Sequence, residues 1–308
     1  MDGSEPVAPT GEQLEIAAAG YVAVVTEVGA GLRTLTHAGR DLVAGFAADR
    51  VRPVYRGALL APWPNRVADG RYSFGGGEHQ LALNEVPRRN AIHGLVDAVA
   101  WRLVGRDPDA LVLAHRIWPN AGYPFCLDLE VRYGVDGAGL TTELTCRNAG
   151  SDPAPYGCAP HTYLVAGDGT VDEWHLDLPA TQRLEVDPER LLPADDPVLQ
   201  PSAPPTSLRG VALDDAFTGL VPDDDGRAVV RLTADDGRGV EMSWDSTVLP
   251  WVQVHTADRP EPDLNRAGLA VEPMTCPPDA FRSGTDLVVL APGEAHRATW
   301  TVAALARG

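Results

Sequence analysis

The feature that most constrains this chain is local. Short β-prone runs, each cut off by Gly, Pro or Asp, follow one another almost from end to end. Few stretches keep the 3.6-residue apolar period over the roughly 10–12 residues a helix needs. Residues 21–25 and 31–36 open the series. Tyr72-Ser73-Phe74 and His79-Gln80-Leu81 then flank Gly75-Gly76-Gly77, a triplet suited to the positive φ angles of a hairpin turn. Runs 101–105, 111–117, 127–133 and 140–147 follow, the last two joined through Asp136-Gly137, and their apolar and polar residues alternate as half-buried strands require. Beyond Cys158 come 174–178, 229–232, 240–244, 251–256, 269–272, 287–290 and 297–302. The pattern predicts an all-β fold, a large antiparallel β-sandwich. Segment 193–205, with Pro193, Pro197, Pro201, Pro204 and Pro205, reads as a surface excursion with no regular ladder and as a possible lid over the site. Strand spacing is the same on both sides of it and there is no internal repeat, so residues 1–308 are expected to form a single domain.

Charge and composition close several routes. The 308 residues carry 25 basic and 43 acidic side chains, a formal charge of -18, and every basic residue is arginine. Without lysine there is no Schiff-base nucleophile, no phosphate-loop lysine and no lysine general base. The acidic balance repels a polyphosphate backbone, and no basic stripe interleaved with aromatics offsets it, so nucleic acid is not an expected partner. No stretch approaches the roughly 18–20 apolar residues of a membrane span. The opening Met1-Asp2-Gly3-Ser4-Glu5-Pro6 lacks the basic start and apolar run of a secretory signal, so a cytoplasmic location is expected. Cys126, Cys146, Cys158 and Cys276 form no CxxC pair and read as buried thiols rather than zinc ligands or a disulfide framework.

Phosphate-loop, dinucleotide, nucleophile-elbow and HExxH motifs are all absent, so any site must be assembled from scattered loops. His93, in Asn90-Ala91-Ile92-His93-Gly94, and His161, in Ala159-Pro160-His161-Thr162-Tyr163, each follow a turn signal and precede an apolar run. Histidine carries a mobile proton near neutral pH, which makes both candidates for a general acid or a polar clamp; each alone reads first as a hydrogen-bonded structural histidine. Glu272 ends an apolar run, Gly268-Leu269-Ala270-Val271-Glu272, and is followed by Pro273. A carboxylate desolvated at such an edge has a raised pKa and is a better base, although an arginine partner would make it structural instead. Asp214, in Leu213-Asp214-Asp215-Ala216-Phe217, and Arg66, in Pro64-Asn65-Arg66-Val67, add polar groups beside apolar ones; each alone reads as part of a solvated loop.

Taken in order, these segments resemble the aldose 1-epimerase (galactose mutarotase) family over nearly the whole chain. The series is Asn65-Arg66, Gly70-Arg71-Tyr72, Leu81 with Asn84, Asn90-Ala91-Ile92-His93-Gly94, His161-Thr162-Tyr163, Asp214-Asp215-Ala216-Phe217, Val271-Glu272-Pro273, Pro278-Asp279-Ala280 and Leu290-Ala291-Pro292-Gly293-Glu294. The resemblance implies that family's β-supersandwich, with a sugar site on its concave face. It also implies interconversion of the α and β anomers of a free aldose, with Glu272 as general base at the C1 hydroxyl and His161 as general acid at the ring oxygen. Arg66, His93, Asp214 and Asn65 would then hold the sugar, and Trp251 is the expected aromatic wall. A Glu/His pair needs no metal or cofactor for this chemistry.

Two positions depart from the family pattern: Arg282 follows Pro278-Asp279-Ala280-Phe281 where asparagine is common, and His255 stands where tyrosine is common. Both resemble a bacterial branch that includes sulfoquinovose mutarotase-like proteins, which implies that Arg282 or Arg66 meets an anionic substituent. Three other readings remain open. A hexose-6-phosphate 1-epimerase would use an arginine cluster such as Arg56, Arg88 and Arg89. A non-catalytic sugar-binding protein would need neither base nor acid. A glycoside hydrolase would pair Glu272 with Asp214 across a glycosidic bond.

Overall fold

The computed structural model of the protein describes residues 7–305. The acidic opening on which the cytoplasmic expectation rests lies outside them. Two large antiparallel sheets dominate the fold. One has eight strands, in the order Arg102–Arg106, Ala110–Ile117, Leu127–Asp136, Gly139–Asn148, Ala295–Leu305, Gly239–Trp244, Ala228–Ala234 and Trp174–Asp177. The other has six, in the order Thr162–Leu164, Leu269–Met274, Trp251–His255, Asp214–Leu220, Ala180–Leu184 and Leu199–Pro201. The four strands Gln13–Ala18, Tyr21–Thr26, Leu32–His37 and Arg40–Asp41 form a third sheet.

The alternation read from the sequence is what buries the core. Along Leu127–Asp136 the side chains of Leu127, Leu129, Val131, Tyr133 and Val135 turn inward, and along Gly139–Asn148 those of Leu140, Leu144 and Cys146 do so. They join one apolar cluster with Phe217, Val252, Val254, Leu269 and Val271 of the six-stranded sheet, and that cluster reaches from Leu14 to Val302 in sequence. Burying a side chain of this size from water contributes about 1.5–3 kcal/mol. The expected hairpin forms between Arg71–Phe74 and Gly77–Gln80, with Gly75 and Gly76 at φ 60° and 79°. Cys146, Cys158 and Cys276 are buried free thiols, while Cys126 is only half-buried.

The proline-rich excursion is less irregular than its composition predicts. Leu199–Pro201 pairs with Ala180–Leu184 at the edge of the six-stranded sheet, where Pro201 needs to donate to no further strand. Among the described residues helix is confined to the single turn Ala280–Ser283 and two short 3-10 turns, Val86–Arg88 and Val171–Glu173. Among the described residues no helix is long and apolar enough to cross a membrane.

Candidate active site

Ladder pairing brings the scattered segments together. Leu269–Met274 lies between Thr162–Leu164 and Trp251–His255, so Glu272 sits opposite Gln253, and His161 immediately precedes Thr162, the partner of Val271. Asp214 begins the next strand out, opposite His255. A separate ladder joins Arg66–Ala68 to Asn90–Ile92, and the His93 amide donates to the Asn65 carbonyl at 2.9 Å. Asn65 and His93 both adopt left-handed backbone, at φ 52° and 65°. Gly94 follows at φ 79°, and a Cβ there would overlap the Ala61 carbonyl, so only glycine lets the chain turn His93 this way.

These elements enclose a cavity of about 360 Å³. Asn65, Arg66, His93, His161, Asp214 and Glu272, all singled out in the sequence, line it together with Tyr55, Asn84, Glu85, Arg88, Gln253, His255, Asp258 and Arg259. Trp251 does not. Its indole packs with Leu60, Leu184 and Met274, and its Nε1–H donates to Asp286 at 2.7 Å: it shares the strand face of Gln253 and His255 but lies at the strand's start, beside an apolar cluster rather than the cavity. The aromatic surface at the site is Tyr55, whose ring stacks on His161 and meets His93 edge-on.

The two central groups are adjacent: His161 Nε2 stands 3.4 Å from Glu272 Oε1, with both side chains almost wholly buried. Five buried polar atoms of cavity-lining residues have no hydrogen-bond partner among the described residues, namely Glu272 Oε2, His161 Nδ1, His93 Nδ1, Gln253 Oε1 and Arg88 Nε. Buried polar atoms are rarely left unpaired, so five around one cavity suit a ligand rich in hydroxyls. Asp214 is held by Gln253 Nε2 at 2.7 Å and by Arg66 Nη2 at 3.5 Å. His255 Nδ1 lies 3.1 Å from the Leu213 carbonyl, which can only accept, so that nitrogen carries the proton.

Burial sets the protonation of the pair. It pushes the Glu272 carboxyl well above the usual range, the Asp214 charge adds to the rise, and Arg66 opposes it. Burial likewise pushes His161 down to about 3, helped by the neighbouring His255 and opposed by Asp214. His93 falls well below its ordinary value through burial and then through His161 and Arg66. Asp214 goes the other way: burial alone would raise it, but Arg66, His255 and the Gln253 hydrogen bond together hold it below the ordinary carboxylate value. Burial thus favours the uncharged forms of both Glu272 and His161, while Arg66, His255 and Gln253 favour the ionised form of Asp214.

Several arginines lie elsewhere than expected. Arg282 pairs with Asp279 at 2.9 Å and Asp195 at 3.7 Å, outside the cavity. Arg56 is buried, donates to the Gly45 carbonyl and lies over the Tyr163 ring. Arg89 is exposed and, like Arg56, does not line the cavity, so of the proposed phosphate cluster only Arg88 reaches it. Segment 193–205 does not line it either; Pro193, Ala194 and Val198 border a separate cleft with Glu185 and Arg190. Tyr55, Glu85, Gln253, Asp258 and Arg259 stood in no recognisable motif. Gln253 alone had a signal, as the inward neighbour of Glu272 once the two strands are paired. Among the described residues no group of three or more His, Cys, Asp or Glu side chains is arranged to hold a metal.

Fold and site together define a sugar-handling β-sandwich, and the chain belongs to the aldose 1-epimerase family, whose description matches residues 12–303. Members of that family are isomerases acting on carbohydrates. Among individual relatives, the uncharacterized protein YihR of Escherichia coli is 34% identical, covering 94% of this chain and 92% of its own. The galactose mutarotase of Bos taurus is 30% identical over 56% of this chain, and that match spans about half of the bovine protein's length. The solved GalM/aldose epimerase homologue from C. elegans superposes with a TM-score of 0.81, covering 96% of this chain and 99% of the other at 20% identity. A galactose 1-epimerase from Lactobacillus acidophilus gives 0.73, with 93% and 92% covered, also at 20% identity.

Proposed function

We propose that this chain, acting as one unit, interconverts the α and β anomers of a free aldose by opening and reclosing the sugar ring, with Glu272 as general base and His161 as general acid. The observation that carries the reading is the 3.4 Å contact between two buried, oppositely perturbed groups at the wall of a monosaccharide-sized cavity. The C1 hydroxyl oxygen and the ring oxygen share one carbon, so an acid and a base that address them must themselves be neighbours.

The proton count closes. Ligand hydroxyls that hydrogen-bond to Glu272 Oε2 favour its carboxylate and shift the pair's proton to His161. Glu272 then takes the C1 hydroxyl proton, the C1–O1 bond becomes a carbonyl, the bond from C1 to the ring oxygen breaks, and that oxygen takes the proton from His161. The result is an open aldehyde beside a neutral carboxyl and a neutral imidazole, the state that burial favours. Rotation about C1–C2 and the reverse proton transfers give the other anomer. Asp214, ionised and held by Arg66 and Gln253, serves as a hydrogen-bond acceptor and anchor; this fits sugar holding better than the second carboxyl of a hydrolase.

One observation favours an acidic substituent on the sugar. Arg259 lines the cavity, is exposed, and its guanidinium has no ion-pair partner among the described residues. Polarimetry on freshly dissolved α-glucose, α-galactose, a sulfonated hexose and a 6-phosphorylated hexose tests both points. Acceleration of any of them supports the mutarotase, and faster turnover of the sulfonated or phosphorylated sugar supports the acidic substrate. Binding without acceleration of any would favour a sugar-binding protein.

A further inference from the structure

Resting on that reading, we propose that Glu85 is a positioning residue that fixes Arg66 so that one hydrogen of its Nη1 faces the sugar. The guanidinium has five N–H donors. Nε donates to both Glu85 oxygens, at 3.2 and 3.0 Å. Nη2 donates to Glu85 Oε1 at 3.1 Å and to Asp214 at 3.5 Å, and Nη1 donates to Asn65 Oδ1 at 3.3 Å. One Nη1 hydrogen is left. A bidentate carboxylate on the Nε–Nη2 edge fixes the plane of the fork, and with it the direction of that remaining donor.

Glu85 is itself held in place. Its Oε2 accepts from Asn90 Nδ2 at 2.8 Å, and its backbone amide and carbonyl both bond to Asn90. Asn90 is fully buried and is gripped in turn by Arg190, accepting from Nη2 at 3.2 Å and donating to the Arg190 carbonyl at 3.1 Å. Glu85 lines the cavity, yet both its oxygens are engaged, whereas Oε2 of Glu272 has no hydrogen-bond partner among the described residues. The two carboxyls therefore differ in kind: Glu272 is open to a ligand, and Glu85 works through Arg66. Its charge also offsets the Arg66 cation, which otherwise draws the Glu272 proton off.

A double-mutant cycle tests this, with Glu85→Gln and Glu85→Ala each made in wild-type and Arg66→Met backgrounds. Steady-state anomer exchange on galactose and glucose is measured alongside calorimetric titration of the same sugars and thermal melting. In the wild-type background each Glu85 variant should raise KM about tenfold or more with a smaller effect on kcat, and the basic limb of the pH profile should move to lower pH. In the Arg66→Met background the same variants should change KM by less than twofold. Equal effects in both backgrounds, or a lower Tm with KM and the pH limb unmoved, would overturn the positioning role. Should the wild type bind sugar without exchanging anomers, the mutarotase reading fails on its own, and the same cycle read in Kd still decides the role of Glu85.

Discussion

Replacing Glu272 by Gln keeps the shape of the side chain and removes the pair's proton. The acid left in the site is then His161, whose pKa of about 3 comes from burial and from His255, neither of which the substitution touches. At neutral pH about one molecule in 10⁴ carries an imidazolium with that pKa, since each unit of pH is a factor of ten. The enzyme-dependent rate should therefore fall by roughly 10⁴-fold, the upper end of what one acid–base group contributes. The residue of activity has a signature: it should rise about tenfold for each unit the pH is lowered from 7 towards 4, whereas the wild type, whose Glu272 carboxyl burial raises well above its ordinary value, should change much less steeply there. The assay is NMR exchange between anomeric protons, corrected for the protein-free rate at each pH, with calorimetry to confirm that sugar affinity stays within a few-fold. A loss under tenfold, or a residual rate independent of pH, would refute both the shared proton and the low pKa of His161.

Other substitutions test separate parts of the site. His161→Asn should lower turnover by roughly 10²-fold or more with sugar affinity nearly unchanged; an effect confined to affinity would make it a binding residue. Trp251→Phe removes the hydrogen bond to Asp286 and should cost about 1 kcal/mol of stability, seen as a Tm lower by a few degrees, while KM stays at the wild-type value; a raised KM would restore Trp251 to the sugar site. Gly94→Ala forces a methyl against the Ala61 carbonyl at positive φ and should destabilise by a few kcal/mol, which chemical denaturation would read; an unchanged unfolding midpoint would show that the turn relaxes freely.

Much of the fold was legible because strands of two-residue period leave a direct trace in sequence, as along Leu127–Asp136 and Gly139–Asn148. The strand Asp214–Leu220 was not, because its acidic start read as a solvated loop, whereas Arg66, Gln253 and His255 supply the partners that let Asp214 sit there. Leu199–Pro201 was hidden by its prolines, which an edge strand tolerates. At the site, residues with an unusual local context converge on the cavity: His93 and Asn65 in left-handed backbone, His161 between two short strands, Glu272 inside an apolar one. Residues chosen by chemical type alone fared differently. Trp251, Arg56 and Arg282 each found a partner outside the cavity: Trp251 shares the strand face of Gln253 and His255 but stands at the strand's start against an apolar cluster, and Arg56 and Arg282 lie in turns outside the strands. Glu85 and Arg259 had no local signature, because their roles depend on what the folded chain places beside them.

The most direct test of ring opening by an acid–base pair follows both anomer inversion and oxygen exchange at C1, by carbon NMR of a labelled aldose in heavy-oxygen water. Ring opening keeps O1 on C1, so the protein should speed interconversion of the anomers while heavy oxygen enters C1 no faster than without protein, and Glu272→Gln should abolish the acceleration. Incorporation that keeps pace with inversion, or inversion no faster than in buffer, would contradict the account.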